Sequence, residues 1–186
     1  MKERLDSIFR DIRTEPRPDG RLTVVATPAS VPSVLRFLRE DGYDYLQLIS
    51  CVDWIGEGEL EVVYVLSFYP GRRQVPDVAG KRDVAGVPDV ASVPDVARVP
   101  VVLKTRVPRE SPSLETSIGI FPVAEPYERE IHELYGVRFD GHPRLTPLFL
   151  ERSYEIPPFR KDFDTRQYVE ELFGSVPPVG EESQGQ

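Results

Sequence analysis

The amino-acid sequence predicts an α+β fold: an antiparallel or mixed sheet with helices packed on one face, followed by an irregular C-terminal tail. Apolar residues alternate over residues 45–55, 59–69 and 101–107, which indicates three strands, and a glycine-rich turn separates the first two. A helix, a strand and a second helix are predicted before these three strands. Residues 154–163 combine two adjacent prolines with basic side chains and predict a segment without regular structure.

The chain is predicted to open with an amphipathic helix, because four apolar residues near its start recur at helical spacing. They are Leu5, Ile8, Phe9 and Ile12. Residues 21–27 are rich in β-branched side chains and predict a first strand.

A second helix is predicted over residues 31–41. Ser30 can cap it, Pro32 is tolerated in its first turn, and Gly42 ends it. This order of strand, helix and then several strands favours helices on one face of a sheet.

Residues 75–98 contain four copies of a six-residue repeat such as VPDVAG. Hexapeptide repeats can build a parallel β-helix, but four copies bury too small a core, and Pro recurs where the ladder needs donors. The repeat therefore predicts a low-complexity insert between two strands, without chemistry of its own. We expect residues 1–173 to form a single domain and the polar residues 174–186 to be disordered.

The stretch from residue 111 to residue 136 is predicted to hold two helical pieces. The first starts at Ser113, and Pro122 and Pro126 bracket a break. The second covers residues 126–135, with Pro126 at its start and Gly136 as its C-terminal stop, where glycine can adopt the left-handed conformation. An Asp-Gly pair at residue 140 then predicts a tight turn.

Composition limits the class of protein. The formal net charge is −8, which argues against a nucleic-acid binder. No apolar run reaches the roughly 20 residues of a membrane helix, and the N-terminus lacks an apolar signal-peptide core, so we expect a soluble, cytoplasmic chain. Cys51 is the only cysteine, which excludes internal disulfides and cysteine-ligated clusters within this chain. Scarce heat-labile residues indicate either a thermophile or a GC-rich genome.

Residues 127–145 carry the densest charge of the chain: four acidic residues, three arginines and both histidines. Glu128 and His132 stand four apart on one helical face, and His142 follows the turn, so a metal-dependent hydrolase is one interpretation. However, Gly136 stands where an HExxH motif needs its second histidine. A second interpretation is an ordinary solvated helix face.

Acid–base or nucleophilic catalysis has little support in the pattern. Glu128 and Glu130 point to different faces of the predicted helix, and no phosphate-binding glycine loop is present. Cys51 lies within an apolar strand, which favours inert burial over reactivity.

The same stretch, YEREIHELYGVRFDGHPRL, resembles the signature of the thirty-kilodalton subunit family of respiratory complex I. That signature has an E-R-E triplet, then an acidic residue with two bulky apolar ones, then G-H-P after a gap. The matching positions are Glu128, Arg129, Glu130, Glu133, Leu134, Tyr135, Gly141, His142 and Pro143.

The resemblance covers most of the chain outside the insert and the last residues. Residues 48–54 with 60–69 are similar to the family's central strand pair, residues 107–130 to its approach to the signature, and residues 160–163 with 168–171 to its basic tail motif. Thr146 and Pro126 depart from the usual basic and aromatic residues. These departures fit the related subunits of archaeal membrane-bound hydrogenases and sulfur-reducing complexes.

The resemblance implies a cofactor-free assembly subunit in the hydrophilic arm of a complex I-like membrane-bound oxidoreductase. Its implied partners are the iron–sulfur cluster-bearing small subunit and the large hydrogenase-like subunit, and it would reach the cytoplasmic side of the membrane only through the complex. No catalytic, cofactor-binding or metal-binding residue is predicted, and a free interaction module remains an alternative. The predicted partner-binding residues are Glu128, Arg129, Glu130, Glu133, His142, Arg160, Lys161 and Asp162.

Overall fold

A computed structural model describes residues 1–68, 99–150 and 154–174 of the chain. The predicted low-complexity insert, residues 75–98, lies outside the described residues. The predicted disordered tail lies outside them too, apart from Gly174 at its start.

The described residues form four α-helices, one short 3₁₀ helix and seven strands. The chain order starts with a helix, continues through most of the strands, and ends on a helix. The elements are α1 (Lys2–Ile8), β1 (Ile12–Pro16), β2 (Leu22–Ala26), the 3₁₀ helix (Pro28–Ser30), α2 (Val31–Glu40), β3 (Tyr45–Trp54), β4 (Glu59–Ser67), β5 (Val101–Pro108), β6 (Ser113–Glu115), α3 (Ala124–Tyr135), β7 (Arg138–Asp140) and α4 (Thr165–Phe173).

Five strands form one mixed sheet in the order β1-β2-β5-β4-β3. The pairs β1–β2, β4–β5 and β3–β4 are antiparallel, and β2 runs parallel to β5. Strands β6 and β7 form a separate parallel pair. The α+β fold with a mixed sheet is therefore confirmed.

One face of the sheet is buried in the hydrophobic core. Alternate residues of β4, among them Leu60, Val62 and Leu66, are fully buried, because successive side chains of a strand point to opposite faces. Helix α2 contributes Leu35 and Leu38 to the same core. The opposite face is partly open to solvent.

Strand β3 is an edge strand of the sheet and lies beside α3. It buries Ile49, Cys51 and Asp53 on the core face, while Leu48 and Trp54 are exposed. A register shift between Leu46 and Leu48 accommodates the strand's bulge. This edge is where the charged segment of the chain meets the sheet.

The predicted N-terminal helix is wrong beyond its first turns. Helix α1 ends at Ile8, and Ile12 begins β1, where it pairs with Ala26 of β2. Leu5 is fully buried and Phe9 and Ile12 pack against the core, whereas Ile8 is 55% exposed, so the helical spacing marks the buried residues only in part. Pairing with β2 takes precedence over local periodicity here.

Helix α2 lies where it was predicted, but Ser30 does not cap it. Ser30 itself has helical backbone angles and makes no capping hydrogen bond. Its hydroxyl donates to the carboxylate of Asp11 and lies 2.9 Å from the Thr27 hydroxyl oxygen. The side chain therefore ties the start of α2 to the turn before β1.

The first predicted helical piece after β5 is wrong, because residues 113–115 form β6. They pair in parallel with β7, which lies 25 residues further along the chain. The conformational preferences of residues 113–115 alone cannot identify such a distant partner. The second piece is confirmed as α3, which starts at Ala124, and the break predicted at Pro126 is absent.

The irregular tail is confirmed for residues 154–164, which contain no helix or strand. The prediction missed α4, which follows them from Thr165 to Phe173. The tight turn at Asp140 is confirmed, with Gly141 at a φ of 84° and the amide of His142 donating to the carbonyl oxygen of Phe139 at 3.2 Å.

Candidate interaction site

Helix α3 is the centre of the candidate site. Its buried face carries Ala124, Ile131 and Leu134. Gly136 ends it with a φ of 77°, a left-handed conformation that glycine adopts without strain. A Cβ atom on Gly136 would lie 3.0 Å from the Pro157 side chain and 3.1 Å from that of Arg160, so the tail passes too close for a larger residue.

Glu128 lies inside the protein, with no exposed surface. Its carboxylate accepts hydrogen bonds from the Thr116 hydroxyl at 2.5 Å, the Ser117 amide at 2.7 Å and the Ser117 hydroxyl at 2.6 Å. These bonds satisfy the buried carboxylate without a cation. Glu128 therefore fastens the turn after β6 to α3, and its side chain offers no surface to another chain.

Arg129 is also engaged within the chain, with 12% of its side chain exposed. Its Nε donates to the carbonyl oxygen of Thr146 at 3.0 Å, and one terminal nitrogen donates to that of Pro147 at 2.8 Å. The other terminal nitrogen lies 3.4 Å from the Glu125 carboxylate. The guanidinium thus holds two consecutive carbonyl groups of the segment that follows the G-H-P motif.

Glu133 holds the next part of that segment through its amides. The carboxylate accepts hydrogen bonds from the backbone N–H groups of Leu148, at 2.9 Å, of Phe149, at 3.0 Å, and of Leu150. Burial opposes ionisation of Glu133, but the three amide donors, Leu148 foremost, and the charge of Arg129 outweigh it and lower its pKa.

Glu130 differs from its neighbours on the helix. It is half-buried and makes no hydrogen bond or ion pair with the residues that the structure describes. Among the described residues, Glu130 is therefore the one acidic residue of the signature whose carboxylate has no hydrogen bond or ion pair.

Both histidines have backbone partners. The Nδ1 of His132 lies 2.9 Å from the carbonyl oxygen of Val137. The Nε2 of His142 lies 3.4 Å from the carbonyl oxygen of Glu125, and its Nδ1 accepts from the amide of Arg144 at 3.0 Å. The residues of the hydrolase interpretation therefore have separate partners: Glu128 binds Thr116 and Ser117, and the two histidines bind backbone groups at other positions. Within the described parts of the chain, no three His, Cys, Asp or Glu residues are grouped so that they could hold a metal ion.

A second charged cluster ties the tail to the sheet. Arg109 donates to Asp53 from Nε at 2.9 Å and from a terminal nitrogen at 3.2 Å, and the same nitrogen reaches Asp162. The amide of Lys161 donates to Asp53 at 2.8 Å. Only 2% of the Asp53 side chain and 15% of the Arg109 side chain are exposed, so this is a buried ion pair.

The electrostatics of this cluster favour its charged form. Burial would raise the pKa of Asp53, but the hydrogen bonds and charge of Arg109 lower it overall. The hydrogen bond from Arg109 also lowers the pKa of Asp162. Burial, reinforced by the charge of Asp53, raises the pKa of the Cys51 thiol to about 12, so this cysteine is not a thiolate at neutral pH.

Arg160 completes the attachment of the tail. Its Nε donates to the carbonyl oxygen of Tyr135 at 2.8 Å, the last residue of α3. The amide of Phe159 donates to the carbonyl oxygen of Leu134 at 3.0 Å. Burial, together with the charge of Arg109, lowers the pKa of the guanidinium. The basic tail motif thus contacts its own domain.

The structure therefore divides the predicted partner-binding residues. It places Glu128, Arg129 and Glu133 on α3 with internal partners, and Arg160, Lys161 and Asp162 in a cluster with Asp53 and Arg109. Sequence reasoning missed the last two residues. An aspartate at an inward position of an otherwise apolar strand was the signal that could have identified Asp53, because buried carboxylates need a partner.

Comparisons with known proteins extend these observations. The family model of the respiratory-chain NADH dehydrogenase 30 Kd subunit matches residues 24–169. An NADH-quinone oxidoreductase subunit of Salinispora tropica is 29% identical over 165 residues, 86% of this chain and 57% of that protein. The corresponding subunit of Mesorhizobium japonicum is 32% identical over 152 residues, 81% of this chain and 64% of that protein. The chain thus spans less than two thirds of either relative.

Two solved structures share the fold. A chain of the archaeal membrane-bound sulfane sulfur reductase matches with a TM-score of 0.73 at 24% identity, covering 100% of this chain and 95% of that chain. A trypsin-resistant fragment of Nqo5 matches with a TM-score of 0.54 at 23% identity, covering 77% of this chain and 94% of the fragment. Among the helices described here, none has the length and apolar character needed to cross a membrane.

Proposed function

This chain belongs to the family of the respiratory-chain NADH dehydrogenase 30 Kd subunit, and on that premise we propose that it is a bracing subunit of a complex I-like membrane-bound oxidoreductase. It docks the iron–sulfur cluster-bearing small subunit and the large hydrogenase-like subunit in the hydrophilic arm. It holds no cofactor itself, the clusters residing in its partners, and it lies peripherally on the cytoplasmic side of the membrane.

One observation carries this proposal: charged residues of the family signature and of the neighbouring sheet hold two irregular surface segments by hydrogen bonds and ion pairs. Arg129 and Glu133 bind carbonyl and amide groups of residues 146–150, and Arg109 and Asp53 hold the tail at residues 161 and 162. Fixed irregular segments are suited to specific docking, because little conformational entropy is lost when a partner binds them.

The relatives support the same function. The matched proteins of Salinispora tropica and Mesorhizobium japonicum are named as subunits of an NADH-quinone oxidoreductase, and the archaeal structural match comes from a respiratory membrane complex. A complex of many subunits needs some subunits that hold the others in place. Glu130 and Lys161 form no ion pair among the described residues and offer charged groups for this role, because charge complementarity across interfaces sets register and specificity.

Isolation of the native complex tests the proposal. A tagged full-length chain expressed in its own host should recover a cluster-bearing subunit and a large subunit in equal stoichiometry, from the membrane fraction. The same preparation from an untagged strain is the control. Recovery of the chain without partners, from the soluble fraction, would contradict the proposal.

Metal analysis of the purified chain tests the cofactor-free role separately. Iron should accompany the assembled complex and be absent in stoichiometric amount from the isolated chain. One tightly bound iron or zinc ion per isolated chain would show that this subunit has a metal site of its own.

A further inference from the structure

The last described part of the chain is attached to the surface of the domain. Among the residues of 154–174 whose burial is described, none is fully buried. Phe159 and Arg160 bond to the end of α3, and Lys161 and Asp162 bond to residues beside the sheet. A segment with few buried apolar contacts opens from a protein more easily than the core does.

Helix α4 is joined to the irregular segment before it by aromatic rings. The Tyr168 ring of α4 packs against the rings of Tyr154 and Phe163, with centroid distances of 5.3 and 5.8 Å. The hydroxyl oxygens of Tyr154 and Tyr168 lie 2.8 Å apart. We call residues 154–173, the irregular segment together with α4, the strap unit.

The groups that the strap unit contacts on β3 are, in contrast, buried. Cys51 and Asp53 are alternate residues on the core face of β3, and they are 4% and 3% exposed. The Asp53 carboxylate accepts from the Lys161 amide at 2.8 Å. Burial raises the pKa of the Cys51 thiol to about 12, and the charges of Asp53 and Arg160 act on it in opposite directions. Arg160 therefore lies near the thiol, and opening of the strap unit would bring water to Cys51.

From this arrangement we infer that the strap unit opens from the domain and closes on it as one body, while the sheet and helices α1 to α3 stay folded. The bond from Arg109 to Asp162 controls how often it opens, because it joins the strap unit to a residue that the sheet holds. This inference concerns the chain itself and does not depend on the proposed bracing function.

Exposure indicates which side of the ion cluster separates on opening. The Asp53 side chain is 2% exposed, whereas the Asp162 side chain is 38% exposed. Water can therefore solvate Asp162 once the strap unit opens. Arg109 keeps both of its hydrogen bonds to Asp53, at 2.9 and 3.2 Å. Opening thus leaves no buried charge without a partner, which is the costly outcome for an ion pair.

Labelling of Cys51 tests the inference, because it is the only cysteine of the chain. The purified full-length chain is treated with an aromatic disulfide at neutral pH, and the rate of thiol modification is measured at rising urea concentrations below the unfolding transition. Modification through the opened strap unit should depend weakly on urea, since little surface is exposed. A rate that rises with the full urea dependence of global unfolding would overturn the inference.

Asp162→Asn removes the charged partner in the strap unit and leaves the pair of Asp53 with Arg109 intact. We expect the labelling rate without urea to rise about ten-fold, the size of losing one hydrogen bond between charged groups. The same change at an exposed ion pair, Asp19→Asn, is the matched control and should leave the rate unchanged. A wild-type rate in Asp162→Asn would show that Arg109 does not hold the strap unit closed.

Hydrogen exchange tests whether the strap unit moves as one body. In Asp162→Asn, exchange should become faster by the same factor at the Lys161 amide and at the Tyr168 amide, which donates to Asp164 in the first turn of α4. The amides of residues 148–150, held by Glu133, are the internal control and should exchange at the wild-type rate. Faster exchange at Lys161 alone would show that α4 does not open with the segment. Equal acceleration at residues 148–150 would show that opening is not confined to the strap unit, and either result overturns the inference.

Discussion

Two irregular segments lie against the end of α3, and the protein holds them by different physical means. Residues 144–150 are held by hydrogen bonds with two ionised side chains: Arg129 donates to backbone carbonyl groups, and Glu133 accepts from backbone amides. In residues 157–163, Phe159 and Arg160 bond to the last carbonyl groups of α3, and residues 161 and 162 are held by the buried ion pair of Asp53 with Arg109.

The two attachments differ in how strongly the stability of the fold depends on each charge. In the first attachment each charge faces several peptide dipoles, so loss of one side chain leaves neutral groups that water can solvate. In the second attachment, removal of one side chain of the ion pair leaves the other charge buried without a partner. That loss lowers the free energy of unfolding far more. Mutation of the buried ion pair should therefore lower the free energy of unfolding more than mutation of Arg129 or Glu133.

Mutation of the buried ion pair should lower the stability of the isolated chain most. Arg109→Ala leaves the Asp53 carboxylate buried with the Lys161 amide as its remaining donor, so we expect a loss of about 3–5 kcal/mol in the free energy of unfolding. Chemical denaturation of the isolated chain measures it. Arg21→Ala, which removes an exposed arginine–aspartate pair, is the matched control and should leave stability unchanged. Equal effects of the two substitutions would show that burial does not distinguish the pairs.

The second effect concerns Glu128, which has no exposed surface. Glu128→Gln keeps the shape of the side chain but replaces one carboxylate oxygen by an amide group that cannot accept from Ser117 or Thr116. We expect a loss of about 1–3 kcal/mol, the cost of leaving buried polar groups unsatisfied. Thermal unfolding is the measurement. A midpoint equal to that of wild type would mean that the three hydrogen bonds contribute nothing net.

How much of this was predictable from sequence depends on the range of the interaction. Strands β2 to β5 and helices α2 and α3 follow from residue patterns, because their apolar residues repeat at the period of the element. The partner of β6 is β7, and the partner of Asp53 is Arg109, 56 residues away along the chain. No local period encodes such pairings, so β6 was mistaken for a helix and this ion pair was missed.

The charged helix shows the same limit within one element. Glu128 and Glu130 lie two residues apart and have the same side chain, and their spacing predicts correctly that they face different ways. Which of them is buried depends on where α3 sits against β3 and on the turn at residues 116 and 117. The family resemblance includes both Glu128 and Glu130. It does not tell which of them is buried within the fold and which lies at the surface.

The third prediction concerns pH and has a smaller effect. The pKa values of Glu133, Asp53 and Asp162 are lowered by folding, so their contribution to stability is fully present above the unfolded-state values, near pH 4, and is lost as the pH falls through the lower folded values. Stability should therefore decline below about pH 4, and Glu133→Gln should make that decline shallower. The measurement is denaturation as a function of pH. An identical slope in Glu133→Gln would show that this carboxylate is not ionised preferentially in the folded state.

Substitution of Glu130 should change the stability of the isolated chain least. Glu130→Gln removes no hydrogen bond or ion pair among the described residues, so the free energy of unfolding should change by less than about 0.5 kcal/mol. If its carboxylate pairs with a basic residue of a partner subunit, the same substitution should weaken assembly by roughly 2–5 kcal/mol, because the partner's charge is left buried and unpaired. The comparison is between the unfolding of the purified variant and its recovery in the isolated complex. If the stability of the variant and its recovery in the complex both fall, Glu130 contributes to the chain's own fold, as Glu128 does. If neither changes, Glu130 is a solvated surface charge.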